Sequence, residues 1–170
     1  VVLALLVAVG FAIRRVVETG LGFVFCAQVC GQDELVFEGA SFVLNPDRSL
    51  AVQMPYFEES VTLTAWRREG ERMVCAPQPL PEEPDRLELI YRSLMLGLAD
   101  YVRKNRFPGI ILGLSGGIDS ALSAAIAVDA LGPEKVRAFM LPSPYTSRES
   151  LEDAAEVARM LRIRCDTVPI

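Results

Sequence analysis

Residues 112–120 read Leu-Gly-Leu-Ser-Gly-Gly-Ile-Asp-Ser, a glycine-rich turn between an apolar, strand-like run and a helix of small residues. This junction restricts the fold more than any other stretch of the chain. Gly116 and Gly117 leave the backbone bare, so its N–H groups have access to phosphate oxygens, and the following helix start adds partial positive charge. Asp119 supplies a carboxylate suited to holding a divalent cation against those phosphates. No lysine lies in or beside the loop, which separates it from the Gly-x-x-x-x-Gly-Lys-Ser/Thr nucleotide loop. By pattern alone it is either a phosphate cradle or a strand-to-helix turn that merely packs tightly.

The surroundings extend this pattern. Asp85 opens a helix with Glu88 three residues on, as in a capping box, and with Leu87, Ile90, Tyr91, Leu94, Leu98 and Val102 on one face. After Pro108 and Gly109 come a strand over 110–114, the loop, a helix over 120–131 and a strand over 136–141. A helix over 148–161, capped by Thr146 and Glu149, and a strand over 165–170 complete the series. Such alternation predicts parallel β-α-β units, connected right-handedly, with ligands at the carboxyl ends of the strands. The 115–120 and 142–147 loops would then face one cleft. The second, Pro-Ser-Pro-Tyr-Thr-Ser, reads equally as a proline-stiffened turn with a helix cap and as a nucleotide contact.

The first half is organised differently. Residues 23–29, 35–37, 41–44 and 50–54 read as sequential antiparallel strands, with Asn-Pro-Asp-Arg-Ser at 45–49 as a turn. Charge and proline dominate residues 67–85, where Pro77, Pro79, Pro81 and Pro84 fix φ and remove donors, so a linker is expected there. The expected domains are therefore 1–66 and 85–170, joined by a linker over 67–84. The apolar run over residues 1–13 is too short for a span of roughly 20 residues and carries no preceding positive charge, as a secretory signal would. It predicts a buried helix or the cut edge of a longer protein. Gln32-Asp33-Glu34 reads as a turn rather than as acid/base machinery, since adjacent acids point apart on a strand.

Composition narrows the chemistry. A chain with 51% hydrophobic and 23% charged residues is that of a globular protein, and its net charge of -5 argues against a nucleic-acid backbone as partner. Histidine is absent, which removes Ser-His-Asp and Cys-His hydrolysis and every histidine-ligated metal site. The four cysteines, Cys26, Cys30, Cys75 and Cys165, match neither a disulfide framework nor a zinc pattern and read as reduced structural thiols. Chemistry must rest on carboxylates, hydroxyls, backbone amides or a bound cation.

Residues 112–120, with Ala-Leu-Ser-Ala-Ala-Ile-Ala-Val-Asp-Ala-Leu-Gly after them and Pro-Ser-Pro-Tyr-Thr-Ser-Arg-Glu-Ser at 142–150, closely resemble the synthetase domain of glutamine-dependent NAD synthetases. Ser-Gly-Gly-Ile-Asp-Ser alone resembles the wider ATP-pyrophosphatase group, which includes GMP synthetase, asparagine synthetase and tRNA-thiolating enzymes. Upstream, Gln-Val-Cys-Gly-Gln-Asp-Glu-Leu-Val-Phe-Glu-Gly-Ala-Ser-Phe at 28–42 resembles the closing strands of the nitrilase-like glutaminase domain that precedes the synthetase in this family.

The resemblance implies an α/β fold: the remnant of a nitrilase-like αββα sandwich, then the first β-α-β units of a parallel-sheet, adenine nucleotide hydrolase-like domain. It implies a cytoplasmic ligase that amidates deamido-NAD to NAD. The nicotinate carboxylate attacks the α-phosphorus of ATP, pyrophosphate leaves, and ammonia drawn from glutamine displaces AMP. ATP would lie on Gly113, Leu114, Ser115, Gly116, Gly117, Ile118, Asp119, Ser120, Pro142 and Ser143, with Mg2+ at Asp119. Partners would be small molecules, without nucleic acid or membrane, and the full-length enzyme would form a homo-oligomer.

Departures from the family pattern matter as much. The family's ammonia comes from a Glu-Lys-Cys triad, yet residues 1–103 contain no lysine. Cys26 and Cys30 lie on or just after a late strand, and the family usually has glycine at Cys30 and asparagine at Ala27. No catalytic residue is therefore expected in this stretch. The chain also stops at the third synthetase strand, so an internal fragment is expected, one that alone neither makes NAD nor hydrolyses glutamine. The alternatives are another ligase with the same loop, of the GMP synthetase or tRNA-thiolating type, a nitrilase-type amidase remnant, or a non-enzymatic remnant that binds nucleotide weakly.

Overall fold

A computed structural model describes residues 2–170, with side chains described from residue 8 onward. Two compact units divide it, Val1–Ser93 and Leu94–Ile170.

The first unit opens with helix α1 (Val2–Thr19). Its described apolar side chains separate by face: Ala12 and Val16 are buried, whereas Phe11, Ile13 and Val17 are exposed. The expected buried helix is thus buried along one stripe only, the one packed against Phe23, Phe25, Phe42 and Leu44. No described helix is long and apolar enough to cross a membrane.

Five strands follow: β1 (Phe23–Phe25), β2 (Val29–Gln32), β3 (Leu35–Glu38), β4 (Phe42–Leu44) and β5 (Leu50–Gln53). They are antiparallel, and β2–β3 and β4–β5 pair in sequence order as expected, but β1 pairs with β4. One sheet runs β1-β4-β5, while β2 and β3 form a separate hairpin. The Ser41 hydroxyl explains the break, since it accepts the Ala27 N–H at 2.9 Å and donates to the Ala27 carbonyl at 3.2 Å. That tie holds the exit of β1 beside the entry to β4 and leaves residues 29–38 to fold on themselves through Asp33, at φ 51. Strand β4 is buried on both faces. Phe42 and Leu44 pack with Ala12 and Val16, and Val43 packs with Ala51, Val52 and Cys75.

Part of the expected linker is a hairpin, β6 (Trp66–Glu69) with β7 (Arg72–Cys75). Charge hid it, because Arg67 and Glu69 pair on its exposed side while Cys75 is fully buried. The Cys75 N–H donates to Asn45 Oδ1 at 2.8 Å and Asn45 Nδ2 donates to the Cys75 carbonyl at 3.0 Å. The prolines begin only after this anchored residue.

Helix α2 (Arg86–Lys104) starts where expected, with Asp85 Oδ1 accepting the N–H groups of Leu87 and Glu88. Its buried stripe differs from the apolar periodicity. Leu87, Ile90 and Leu94 are exposed, whereas Leu89, Ser93, Asp100 and Val102 are buried. The polar members are satisfied within their own helix: the Ser93 hydroxyl donates to the Leu89 carbonyl, and Asp100 is bridged by Arg103 and Lys104. Hydrophobic spacing therefore finds Val102 and the half-buried Tyr91 and Leu98, but it misses the polar residues that face inward with their own bonds satisfied.

The second unit holds the carboxyl-terminal half of α2 and then β8 (Ile110–Gly113), α3 (Ile118–Leu131), a 3-10 turn (Pro133–Lys135), β9 (Val136–Met140), α4 (Arg148–Leu161) and β10 (Arg164–Thr167). The sheet order is β10-β9-β8 and both pairings are parallel, as the alternation of elements predicts. Its core is rich in alanine. Ala124 and Ala127 of α3 and Ala154 and Ala158 of α4 meet Val136 and Ala138 of β9, and the small side chains allow close helix–sheet approach.

Candidate phosphate-binding site

The Leu114 N–H donates to the Phe139 carbonyl at 2.9 Å, which keeps the chain registered on β9 for one residue past β8. Ser115 then enters the loop. Gly117 is the N-cap of α3, so the helix begins two residues ahead of the expected position, and Ile118, Asp119 and Ser120 form its first turn. First-turn N–H groups have no intrahelical acceptor, and this end of the helix carries the positive pole of its dipole. The Asp119 carboxylate is exposed there.

Two hydroxyls close the loop on itself. Ser120 Oγ donates to the Gly117 carbonyl at 2.9 Å, accepts the Ser115 N–H at 3.2 Å and lies 3.0 Å from Ser115 Oγ. Ser115 Oγ in turn accepts the Gly117 N–H at 3.3 Å. The N–H groups of residues 115 and 117 are thus committed internally, which leaves the first turn of α3 as the donor set facing outward.

Gly116 is required twice over. Its φ is 82°, and a Cβ there would lie 2.3 Å from the Ser150 carbonyl oxygen. Gly117 has φ -84° and its nearest such contact is 3.5 Å. Only the first of the two glycines is dictated by backbone geometry.

The second loop is a serine turn. The Ser143 N–H donates to Thr146 Oγ1 at 2.9 Å, the Thr146 N–H to the Ser143 carbonyl at 3.1 Å, and the Tyr145 N–H to Ser143 Oγ at 3.3 Å. Because Thr146 Oγ1 is occupied in this way, the cap of α4 falls to Ser147 instead of the expected Thr146. Ser147 Oγ accepts the Ser150 N–H at 3.1 Å. Past β10, the Ile170 N–H donates to the Pro142 carbonyl at 3.1 Å and steadies the start of the loop.

Both loops border a cavity of about 280 Å³ lined by Gly113, Leu114, Ser115, Phe139, Met140, Leu141, Pro142, Thr146 and Leu151. Of the residues singled out from sequence, Gly113, Leu114, Ser115 and Pro142 line it. Gly116, Gly117, Ile118, Asp119 and Ser120 form the adjoining turn, and Ser143 sits within the serine turn. Sequence reasoning missed the apolar wall of Phe139, Met140, Leu141 and Leu151, and it gave Thr146, a lining residue within the expected 142–147 loop, the role of a helix cap. The position of Leu141 after a buried strand, and the Ser147-x-x-Ser150 capping pattern, were the available signals.

Among the described residues, no three or more cysteine or acidic side chains cluster as a metal site. The exposed Asp119 carboxylate at the start of α3 is a candidate ligand for Mg2+, a cation that takes one or two carboxylates together with phosphate oxygens and water. Elsewhere, Asp33 and Glu34 sit at the turn of the β2–β3 hairpin. Cys26 is exposed and Cys30 half-buried, while burial pushes the thiols of Cys75 and Cys165 up, with Asp166 adding to the effect at Cys165.

A parallel sheet whose first strand passes through a serine-glycine loop into a helix defines an α/β unit of the kind whose strand carboxyl ends carry the loops open to ligands. The chain matches the model of the NAD synthase family, described as NAD synthase, over residues 90–170. It is similar over 156 residues, at 53% identity, to the glutamine-dependent NAD(+) synthetase of Rhodobacter capsulatus, a match that covers 92% of this chain. The chain spans 28% of the length of that relative. The solved glutamine-dependent NAD+ synthetase of Acinetobacter baumannii, in complex with ADP, superposes with a TM-score of 0.85 at 41% identity, covering 92% of this chain and 30% of that one. A synthetase of the same description from Cytophaga hutchinsonii, 16% identical, shares the fold, with a TM-score of 0.64 over 93% of this chain and 33% of its own.

Proposed function

We infer that this chain supplies the nucleotide-phosphate loop of an enzyme that amidates deamido-NAD to NAD with ATP, using ammonia drawn from glutamine. The observation that carries this reading is the 115–120 loop, closed by its own hydroxyls at the carboxyl end of β8 beside an apolar cavity. Outward-facing N–H groups at the start of α3 suit the triphosphate, and the cavity beside them suits the remainder of the nucleotide. The nicotinate carboxylate attacks the α-phosphorus with loss of pyrophosphate, and ammonia then displaces AMP. Such a transfer demands positioning and charge neutralisation rather than a histidine base.

Gly113, Leu114, Ser115, Gly116, Gly117, Ile118, Asp119, Ser120, Pro142 and Ser143 are the residues assigned to ATP, and Asp119 to Mg2+. The cation, when bound, neutralises charge on the phosphates. Residues 85–170 then belong to the synthetase part and residues 1–66 to the end of a nitrilase-like glutaminase part, with 67–84 between them. The antiparallel strands packed under α1 and the likeness to glutamine-dependent relatives support that division. No lysine stands in residues 1–103 to complete a Glu-Lys-Cys triad, so the chain alone is expected to form no NAD from glutamine.

Calorimetric titration of the chain with ATP and Mg2+ tests the reading. Saturable binding that weakens in Asp119→Ala and on removal of Mg2+ is expected. Affinity unchanged in Asp119→Ala removes the metal role, and no binding by the folded chain removes the nucleotide reading.

A further inference from the structure

The 115–120 loop rests on the first turn of α4, and the contact is backbone on backbone. Gly116 approaches Ser150 so closely that a Cβ would meet the Ser150 carbonyl oxygen at 2.3 Å and its carbonyl carbon at 2.9 Å. Ser150 is itself held in place. Its N–H donates to Ser147 Oγ at 3.1 Å, and the two hydroxyls lie 2.8 Å apart. Ser147 stands outside the helix in extended conformation, at φ -66° and ψ 149°, as an N-cap must. It does not line the cavity, whereas its neighbour Thr146 does.

From these contacts we propose that Ser147 is a positioning residue for the phosphate loop, acting through the first turn of α4 and not through contact with ligand. Two hydroxyl pairs, Ser115 with Ser120 and Ser147 with Ser150, each close one of the two segments that meet at Gly116. Loss of the Ser147 cap lets the first turn of α4 open, and the surface that fixes Gly116 opens with it. The N–H groups at the start of α3 then lose their fixed aim. This rests on the phosphate-loop reading for its consequence in binding, but the coupling between cap and loop stands without it.

Hydrogen exchange and MgATP titration on the full chain test the two parts separately. In Ser147→Ala, the hydrogen-bonded amides of Ser115, Gly117 and Ala121 are expected to exchange roughly fivefold faster, the population change that a lost N-cap brings. Amides of β9 stay at the wild-type rate, and Ser147→Thr, which keeps the capping oxygen, restores the loop. MgATP affinity is expected to fall by the same ~fivefold factor in Ser147→Ala and not in Ser147→Thr. Faster exchange confined to α4, with the loop unchanged, overturns the proposal, as does equal loop exchange in both variants. If the wild-type chain binds no MgATP, the nucleotide reading falls while the exchange data still decide the coupling.

Discussion

Ser115 Oγ lies 3.0 Å from Ser120 Oγ, and the two side chains together bind both termini of the glycine turn that separates them. Ser120 is the hub, because it alone bonds the entry of the turn through the Ser115 N–H and its exit through the Gly117 carbonyl.

Ser120→Ala is therefore expected to loosen the loop without unfolding the unit. The Ser115 N–H and the Gly117 carbonyl are exposed enough to turn to water, so stability should fall by only about 1 kcal/mol. Binding should suffer more, with MgATP affinity reduced about tenfold, which corresponds to ~1.4 kcal/mol. Titration beside thermal melting checks this, and unchanged affinity in a folded variant would show that loop closure does not serve the nucleotide.

The two glycines separate cleanly by geometry. In Gly116→Ala a side chain at φ 82° meets the Ser150 backbone at 2.3 Å, so a loss of about 3 kcal/mol or more is expected from strain and displacement. Gly117→Ala meets nothing nearer than 3.5 Å at an ordinary φ and should cost under about 1 kcal/mol, the difference between glycine and alanine at an N-cap. Urea unfolding of both variants decides it; equal losses would show that α4 yields to the new methyl group.

The parallel half of the chain was largely legible because its signals are local. Pro108 and Gly109, the glycine loop and the apolar runs 110–114 and 136–141 announce strand-helix alternation without any knowledge of the partners. The residues that failed are those whose roles depend on distant groups. Cys75 looks like part of a charged linker until Asn45, 30 residues upstream, is found holding its backbone. Asp100 and Ser93 look exposed by type, yet bonds within α2 let them face inward. At the site, the loop residues carried a pattern, whereas the Phe139 and Leu151 wall is only ordinary core sequence brought beside the loop by the fold.

Asn45 links two segments of the first unit 30 residues apart, so its removal is informative. Asn45→Ala leaves the N–H and carbonyl of Cys75 without partners beside a fully buried side chain. A loss of about 2 kcal/mol or more is expected in urea unfolding. Asn45→Asp keeps the acceptor for the N–H but offers no donor to the carbonyl, so it should fall between wild type and Asn45→Ala. Should Asn45→Asp match wild type, the carbonyl bond contributes nothing.

Acid should weaken the second unit through the edge of its sheet. Asp166 on β10 accepts from Arg137 of β9 at 2.6 Å and pairs with Arg164 at 3.1 Å, and these guanidinium groups, Arg137 foremost, hold its carboxyl below the usual carboxylate range. A carboxyl depressed in the folded state contributes stability above its unfolded value, which is near ~3.9, and loses it as pH falls through the folded value. Wild type should therefore exceed Asp166→Asn in stability at neutral pH, and the gap should close on the acid side of about pH 4. The pair is partly exposed, with side chains 44% and 29% accessible, so added salt should narrow the neutral-pH gap as well. Unfolding curves for both proteins across this range, at low and high salt, test the assignment. A gap independent of pH would mean that Asp166 acts through packing across the β9–β10 pair and not through its charge.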